Sequence, residues 1–207
     1  MKRVLLTAVA ALGLASCASP PPPAVHVTSA AGPSRQVLGV GVGYAHDEAG
    51  AEAAAVTYAE AAATPVFPVD DASERQRVAT YAVGSEQAAL LAKRLESIRG
   101  YDSSYGVVSA HGRGQRAGAH LYPLSVRLQA YTDTDATVSV WAMLVEYSPS
   151  VFRALYLTES VALQWEAGDW KYVLSRTTAT LGPAPEITQA QTTTQPPDQV
   201  DWQAWGR

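Results

Sequence analysis

The chain has 207 residues, 47% of them hydrophobic and 16% charged, which is enough for one core and short of two comfortable domains. Its 15 Lys and Arg against 19 Asp and Glu give a net charge of −4 with no long basic run, so nonspecific nucleic-acid binding lacks its usual electrostatic footprint. One cysteine excludes an internal disulfide and makes a poor metal site, and nothing in the composition asks for a cofactor.

Lys2 and Arg3 precede an apolar run from Val4 to Leu14. The run is shorter than the roughly 20 residues of a membrane-spanning helix and has the layout of a secretion signal. It closes on Leu14-Ala15-Ser16-Cys17, which resembles the lipobox of bacterial lipoproteins. The resemblance implies a signal peptide at 1–16, cleavage before Cys17, and lipid attachment through the Cys17 thiol to diacylglycerol. The alternative is an ordinary secretory peptide cut after an Ala-x-Ala-like site, with Cys17 incidental. Cleavage leaves 13 basic and 19 acidic residues, a charge of −6, so attachment to the extracytoplasmic face of the cell membrane would rest on acyl chains rather than on charge.

Residues 17–36 hold Pro20 to Pro23 and then small and polar residues, the composition of an extended, semi-rigid stalk. The folded domain is expected at 37–182. From Asp47 onward, Ala49, Ala53, Val56, Ala59 and Ala63 recur at helical steps, and Pro65 with Pro68 stops them. Asp71-Ala72-Ser73-Glu74 has the form of a capping box and opens a second helix carrying Val78, Tyr81 and Ala82 on one face. Ser85 is the expected cap of a third, with Ala88, Leu91, Ala92, Leu95 and Ile98 as its stripe and Gly100 as its end.

Beyond a glycine-punctuated stretch to Gly118 the period falls to two. Four strands are predicted: Leu124 to Ala130, Val138 to Val145, Ala154 to Trp165, and Trp170 to Thr178. Turns too short for parallel crossovers join them into an antiparallel meander. The second strand is apolar on both faces, Val138, Val140, Ala142 and Leu144 against Trp141, Met143 and Val145, which places it centrally. Helices first and strands second make the class α+β. Residues 183–207, with Thr192-Thr193-Thr194 and Pro196-Pro197, form an expected disordered tail. Trp202 and Trp205 stand in it; such indoles either dock on the chain's own domain or bind a partner or membrane interface.

Three helices on a curved four-stranded meander, with Trp165-Glu166-Ala167-Gly168-Asp169-Trp170 in the last hairpin, resemble the nuclear transport factor 2-like cone, whose last hairpin often carries W-x-x-G-x-W. Gly43-Tyr44-Ala45-His46-Asp47-Glu48-Ala49-Gly50-Ala51-Glu52-Ala53-Ala54-Ala55 resembles the "G-x-x-H-x-x-x-G-A-x-A-A-A" start of the first helix in actinobacterial envelope proteins that carry this domain. Some of those occur with conjugation or integrative-element genes, and their architecture is similar to that of periplasmic subunits of type IV secretion machines. Many carry a transmembrane anchor where this chain has a lipobox. The resemblance implies a non-enzymatic binding or scaffold module with an envelope protein partner, and a homodimer through the open sheet face. It also implies an alternative, a small-ligand carrier or cavity enzyme of the ketosteroid isomerase or polyketide cyclase type.

Such an enzyme needs a base and a hydrogen-bond donor inside the cone. Glu159 shares parity with Leu157, Val161 and Leu163, and Tyr131, Tyr147, Tyr156 and Tyr172 could donate. Glu159 is expected to be solvated or to pair with Arg127 or Arg176 across the sheet, and no catalytic residue is assigned. His46, His111 and His120 are too dispersed for a metal site. The glycines at 39, 41 and 43 lack the spacing of a nucleotide-binding loop.

Overall fold

The computed structural model describes residues 31–65, 70–149 and 151–182, with the backbone of 203–204. A short hairpin of β1 (Arg35–Val37) and β2 (Val40–Val42) is followed by helices α1 (Glu48–Ala63), α2 (Asp71–Tyr81), α3 (Gln87–Tyr105) and α4 (Val107–Gly112). The sheet comes after them. Strands β3 (Gly118–Tyr131), β4 (Asp135–Ser148), β5 (Val151–Glu166) and β6 (Asp169–Tyr172) pair consecutively and antiparallel. β7 (Thr178–Leu181) returns to β5, and β8 (Gln203–Ala204) joins β3 on the opposite edge. The protein is α+β, with six strands in the large sheet among the described residues.

Alanine explains α1. It is buried on most of its circumference, from Gly50 and Ala51 through Tyr58 to Ala61, while Ala49 is exposed. Small side chains let the β1–β2 hairpin and strands β3 to β6 all approach one helix, so the expected single stripe is replaced by a sheath. Asp47 caps it, accepting from the Gly50 N–H at 2.7 Å.

The caps of the next two helices differ from expectation. Asp70, not Asp71, caps α2 by accepting from the Ser73 N–H at 2.8 Å. Glu74 is thereby released from the capping box and turns inward, where it is 2% exposed. Ser85 caps nothing: Gly84–Glu86 forms a 3-10 turn that leads into α3. The buried face of α3 is Leu90, Leu91, Arg94 and Ile98, with Ala88 and Ala92 outside. Gly100 does not end it. A glycine in a helix interior costs about 1 kcal/mol relative to alanine, and Tyr101 and Tyr105 beyond it pack on Val107, Ala110 and Ala117. The stop is Gly106, left-handed at φ 60°.

The strands also depart in detail. Irregularities in the β3–β4 register at Pro123/Ser125 and Leu128/Ala130 put Ala130 out of phase with Val126. The fourth predicted strand breaks at a 3-10 turn, Leu174–Arg176, into β6 and β7. Strand β1 begins at Arg35, two residues inside the expected stalk. The signal peptide, Cys17, most of the stalk, and the tail apart from β8 lie outside the described residues.

The two resembling motifs meet. The Asp169 carboxylate accepts from the Gly43 and Tyr44 N–H groups at 3.0 and 3.1 Å, and the Trp170 indole N–H donates to the Ala45 carbonyl at 3.0 Å. His46 stacks on Trp165 with ring centroids 3.8 Å apart, its Nε2 2.5 Å from the Asp133 carbonyl. Tyr58 donates to the Trp170 carbonyl at 2.9 Å. A Cβ at Gly50 would overlap the Ala45 carbonyl oxygen, which is why glycine follows His46 by four residues. The motif residues therefore fasten the start of α1 to the last hairpin.

Candidate functional site: a cavity and an open sheet face

Two places could act on another molecule, one on each face of the sheet. On the helix-facing side, Val138, Val140 and Ala142 of β4 and Leu157, Val161 and Leu163 of β5 pack on α1 in the main core. At one end of that core is a half-open cavity of about 190 Å³, lined by Ala62, Leu90, Lys93, Leu157, Glu159 and Tyr172 among others. Glu159 is 8% exposed and accepts from the Tyr172 hydroxyl at 3.1 Å. Burial raises its pKa above the ordinary glutamate range, against the opposing pull of the Tyr172 hydrogen bond and Lys93. Burial and the neighbouring Glu159 push the Tyr172 hydroxyl up as well. A buried carboxyl beside a phenol offers polar atoms that can hold an oxygen atom of a small molecule.

The expected partners of Glu159 lie elsewhere. Arg176 binds Asp135 at 2.8 Å. Arg127 pairs in register with Ser139 on the other face of the sheet. Of the four tyrosines only Tyr172 reaches Glu159: Tyr131 donates to the His46 carbonyl at 3.4 Å, Tyr156 stacks on Trp141, and Tyr147 is exposed. The histidines are dispersed, His111 against the Ala117 carbonyl and His120 beside Glu60 at 3.4 Å.

The wall behind the cavity holds a charged cluster that periodicity does not reveal. Arg94 binds Glu74 at 2.8 Å and donates to the Ala61, Ala62 and Thr64 carbonyls at the C-terminal end of α1. Arg77 adds a bond to the Thr64 carbonyl at 3.1 Å. These guanidinium groups satisfy orphan helix carbonyls that apolar side chains could not. The only signal in the sequence is an arginine inside the α3 stripe.

On the opposite face the alternation of β4 points Trp141, Met143, Val145 and Tyr147 away from the helices. Their register partners on β5 are Thr158, Tyr156, Ala154 and Phe152, and on β3 Ser125 lies beside Trp141 and Tyr122 beside Met143. Phe152 is 76% exposed, Tyr122 42% and Tyr147 37%. An antiparallel sheet whose second face meets water ordinarily alternates apolar with polar. A row of Tyr, Met, Val and Phe on that face is the composition of an interface.

No described helix is long and apolar enough to cross a membrane. Trp202 and Trp205 lie outside the described residues. The chain belongs to the family described as a domain of unknown function, DUF8175, which matches residues 22–195. No curated protein and no solved structure matches it.

Proposed function

We propose that this protein is a lipoprotein held by Cys17 at the extracytoplasmic face of the cell membrane. Its domain is of the nuclear transport factor 2-like class, and it works as a non-enzymatic binding or scaffold module for an envelope protein, in the setting of a conjugation or secretion apparatus. The observation that carries the binding role is the apolar outer sheet face around Tyr122, Tyr147 and Phe152. The consecutive antiparallel run from β3 to β6 with helices on one side and a cavity between them supports the fold class. The apolar segment ending at Cys17 supports the anchor.

Placing a photocrosslinking amino acid at position 152 in membranes tests the role. A discrete adduct is expected, and one at twice the chain's mass identifies a second copy as the partner. No adduct at 152, or equal labelling from Gln164 on the exposed part of β5, refutes it. Cys17→Ala should move the protein to the soluble fraction, and continued sedimentation with membranes would count against the anchor.

The second reading, a small-ligand carrier or cavity enzyme, is favoured by the buried Glu159–Tyr172 pair. Against it, 190 Å³ is smaller than the roughly 300 Å³ from which ligand pockets usually begin. A stoichiometric small molecule in native mass spectra, lost on Glu159→Leu, would reverse the order of the two readings.

A further inference from the structure

The cavity beside Glu159 is lined unevenly. Its body is apolar, with Ala62 of α1, Leu90 of α3, Leu121 of β3 and Leu157 of β5 around about 190 Å³. An apolar cavity of about 150 Å³ is enough to hold benzene, so one ring or a branched chain of similar bulk fits this one. Polar groups stand in two places. On the solvent side are Lys93 and Ser97, both exposed and one helical turn apart on α3. On the inner side are Glu159 and Tyr172, 8% and 4% exposed.

Charge sets the sign of a ligand. Arg94 is the other cation in the wall, but its guanidinium is engaged by Glu74 and the α1 carbonyls. Arg77 behind it shares the same Glu74. Three basic groups thus meet two carboxyls, and the carbonyl end of α1 adds only about half a negative charge. The surroundings stay positive even with Glu159 ionised, which favours a carboxylate over an ammonium. Lys93, whose charge acts on Glu159, is the cation left to meet it.

Glu159 sets the other end. The Tyr172 hydroxyl donates to one of its oxygens at 3.1 Å, and a carboxyl has room for further partners. A ligand hydroxyl suits it in either protonation state, donating to the carboxylate or accepting from the acid.

We infer that the cavity takes a compact hydroxy acid. Its carboxylate lies on Lys93 and Ser97, its apolar body between Leu90, Leu121 and Leu157, and its hydroxyl on Glu159 beside Tyr172. The inference rests on the second reading above, that this cavity holds a small molecule, and leaves the outer sheet face untouched.

A titration followed by backbone amide shifts tests it, using the full chain carrying Cys17→Ala and four probes of one size: para-hydroxybenzoate, para-hydroxybenzamide, para-hydroxybenzylamine and benzoate. Para-hydroxybenzoate should bind at least about tenfold more tightly than each of the others, with shifts centred on Leu121 and Leu157. Lys93→Met, at an exposed position, should erase its advantage over the amide and leave the affinity of the amide unchanged. An amide that binds as well as the acid, or an advantage that survives Lys93→Met, overturns the carboxylate contact. Preference for the amine overturns the sign of the ligand, and benzoate binding as tightly as para-hydroxybenzoate overturns the hydroxyl at Glu159. Each of those results leaves a small-molecule cavity standing. Absence of binding by all four at millimolar concentration, or shifts centred elsewhere, overturns the inference and the second reading together.

Discussion

Replacing Glu159 by Gln preserves the shape of the side chain and removes its proton equilibrium. Burial holds the folded pKa above the ordinary glutamate value of 4.5, so the native protein keeps a proton that the unfolded chain has already released. Stability therefore declines as pH rises from about 4.5 toward the folded value, by about 1.4 kcal/mol for each unit, and levels off above it. Below that window both carboxyls are neutral, and Gln still offers a carbonyl oxygen to the Tyr172 hydroxyl 3.1 Å away. Glu159→Gln should thus match the parent near pH 4 to within about 1 kcal/mol and become the more stable protein as pH rises. Urea unfolding followed by tryptophan fluorescence from about pH 4 to pH 8 measures this, with the histidines cancelling in the difference between the two proteins. A difference that stays flat with pH would mean that Glu159 is solvated or already ionised in the fold. One that favours the parent at high pH would make it a paired carboxylate, and either result refutes the burial argument.

Arg94→Met should cost about 3–5 kcal/mol in chemical denaturation, because Glu74 is left buried with Arg77 3.7 Å away and three α1 carbonyls lose a donor. The double variant with Glu74→Met should recover much of that loss, and equal losses in both would refute a role for the stranded charge. Asp169→Ala removes the acceptor of the Gly43 and Tyr44 N–H groups. A loss of about 3 kcal/mol is expected, read in calorimetry as a fall of roughly 6–12 °C in Tm for a domain of this size.

The α+β class was legible because the apolar period changes from helical to alternating near Gly118. The inner face of β4 was legible for the same reason. What periodicity could not resolve depends on partners distant in the chain. A count of apolar residues cannot distinguish the exposed Ala88 and Ala92 from the buried Leu90, nor expect Arg94 in their place, because Arg94 is buried by helix ends some 30 residues earlier. The break between β6 and β7 is set by pairing of Thr178 with Ser160 on β5, which no local signal carries. In the cavity, Glu159 had the right parity to face inward, but solvation was expected of it because a mid-strand carboxylate usually finds water or a cation. The apolar outer row of β4 is visible in Trp141, Met143 and Val145, but two apolar faces on one strand indicate a central position in the sheet and not which face stays open.

The fastening of Gly43, Tyr44 and Ala45 to Asp169 and Trp170 also fixes when the domain can be completed. A chain emerging from its N-terminus presents α1 long before the residues that close over its start exist, the two groups being separated by about 125 positions in sequence. Contacts of that span form late and slow the search for the native state. Residues before Asp169 therefore lack the means to lock the start of α1, and the domain becomes whole only when its last hairpin is free of the machinery that makes it.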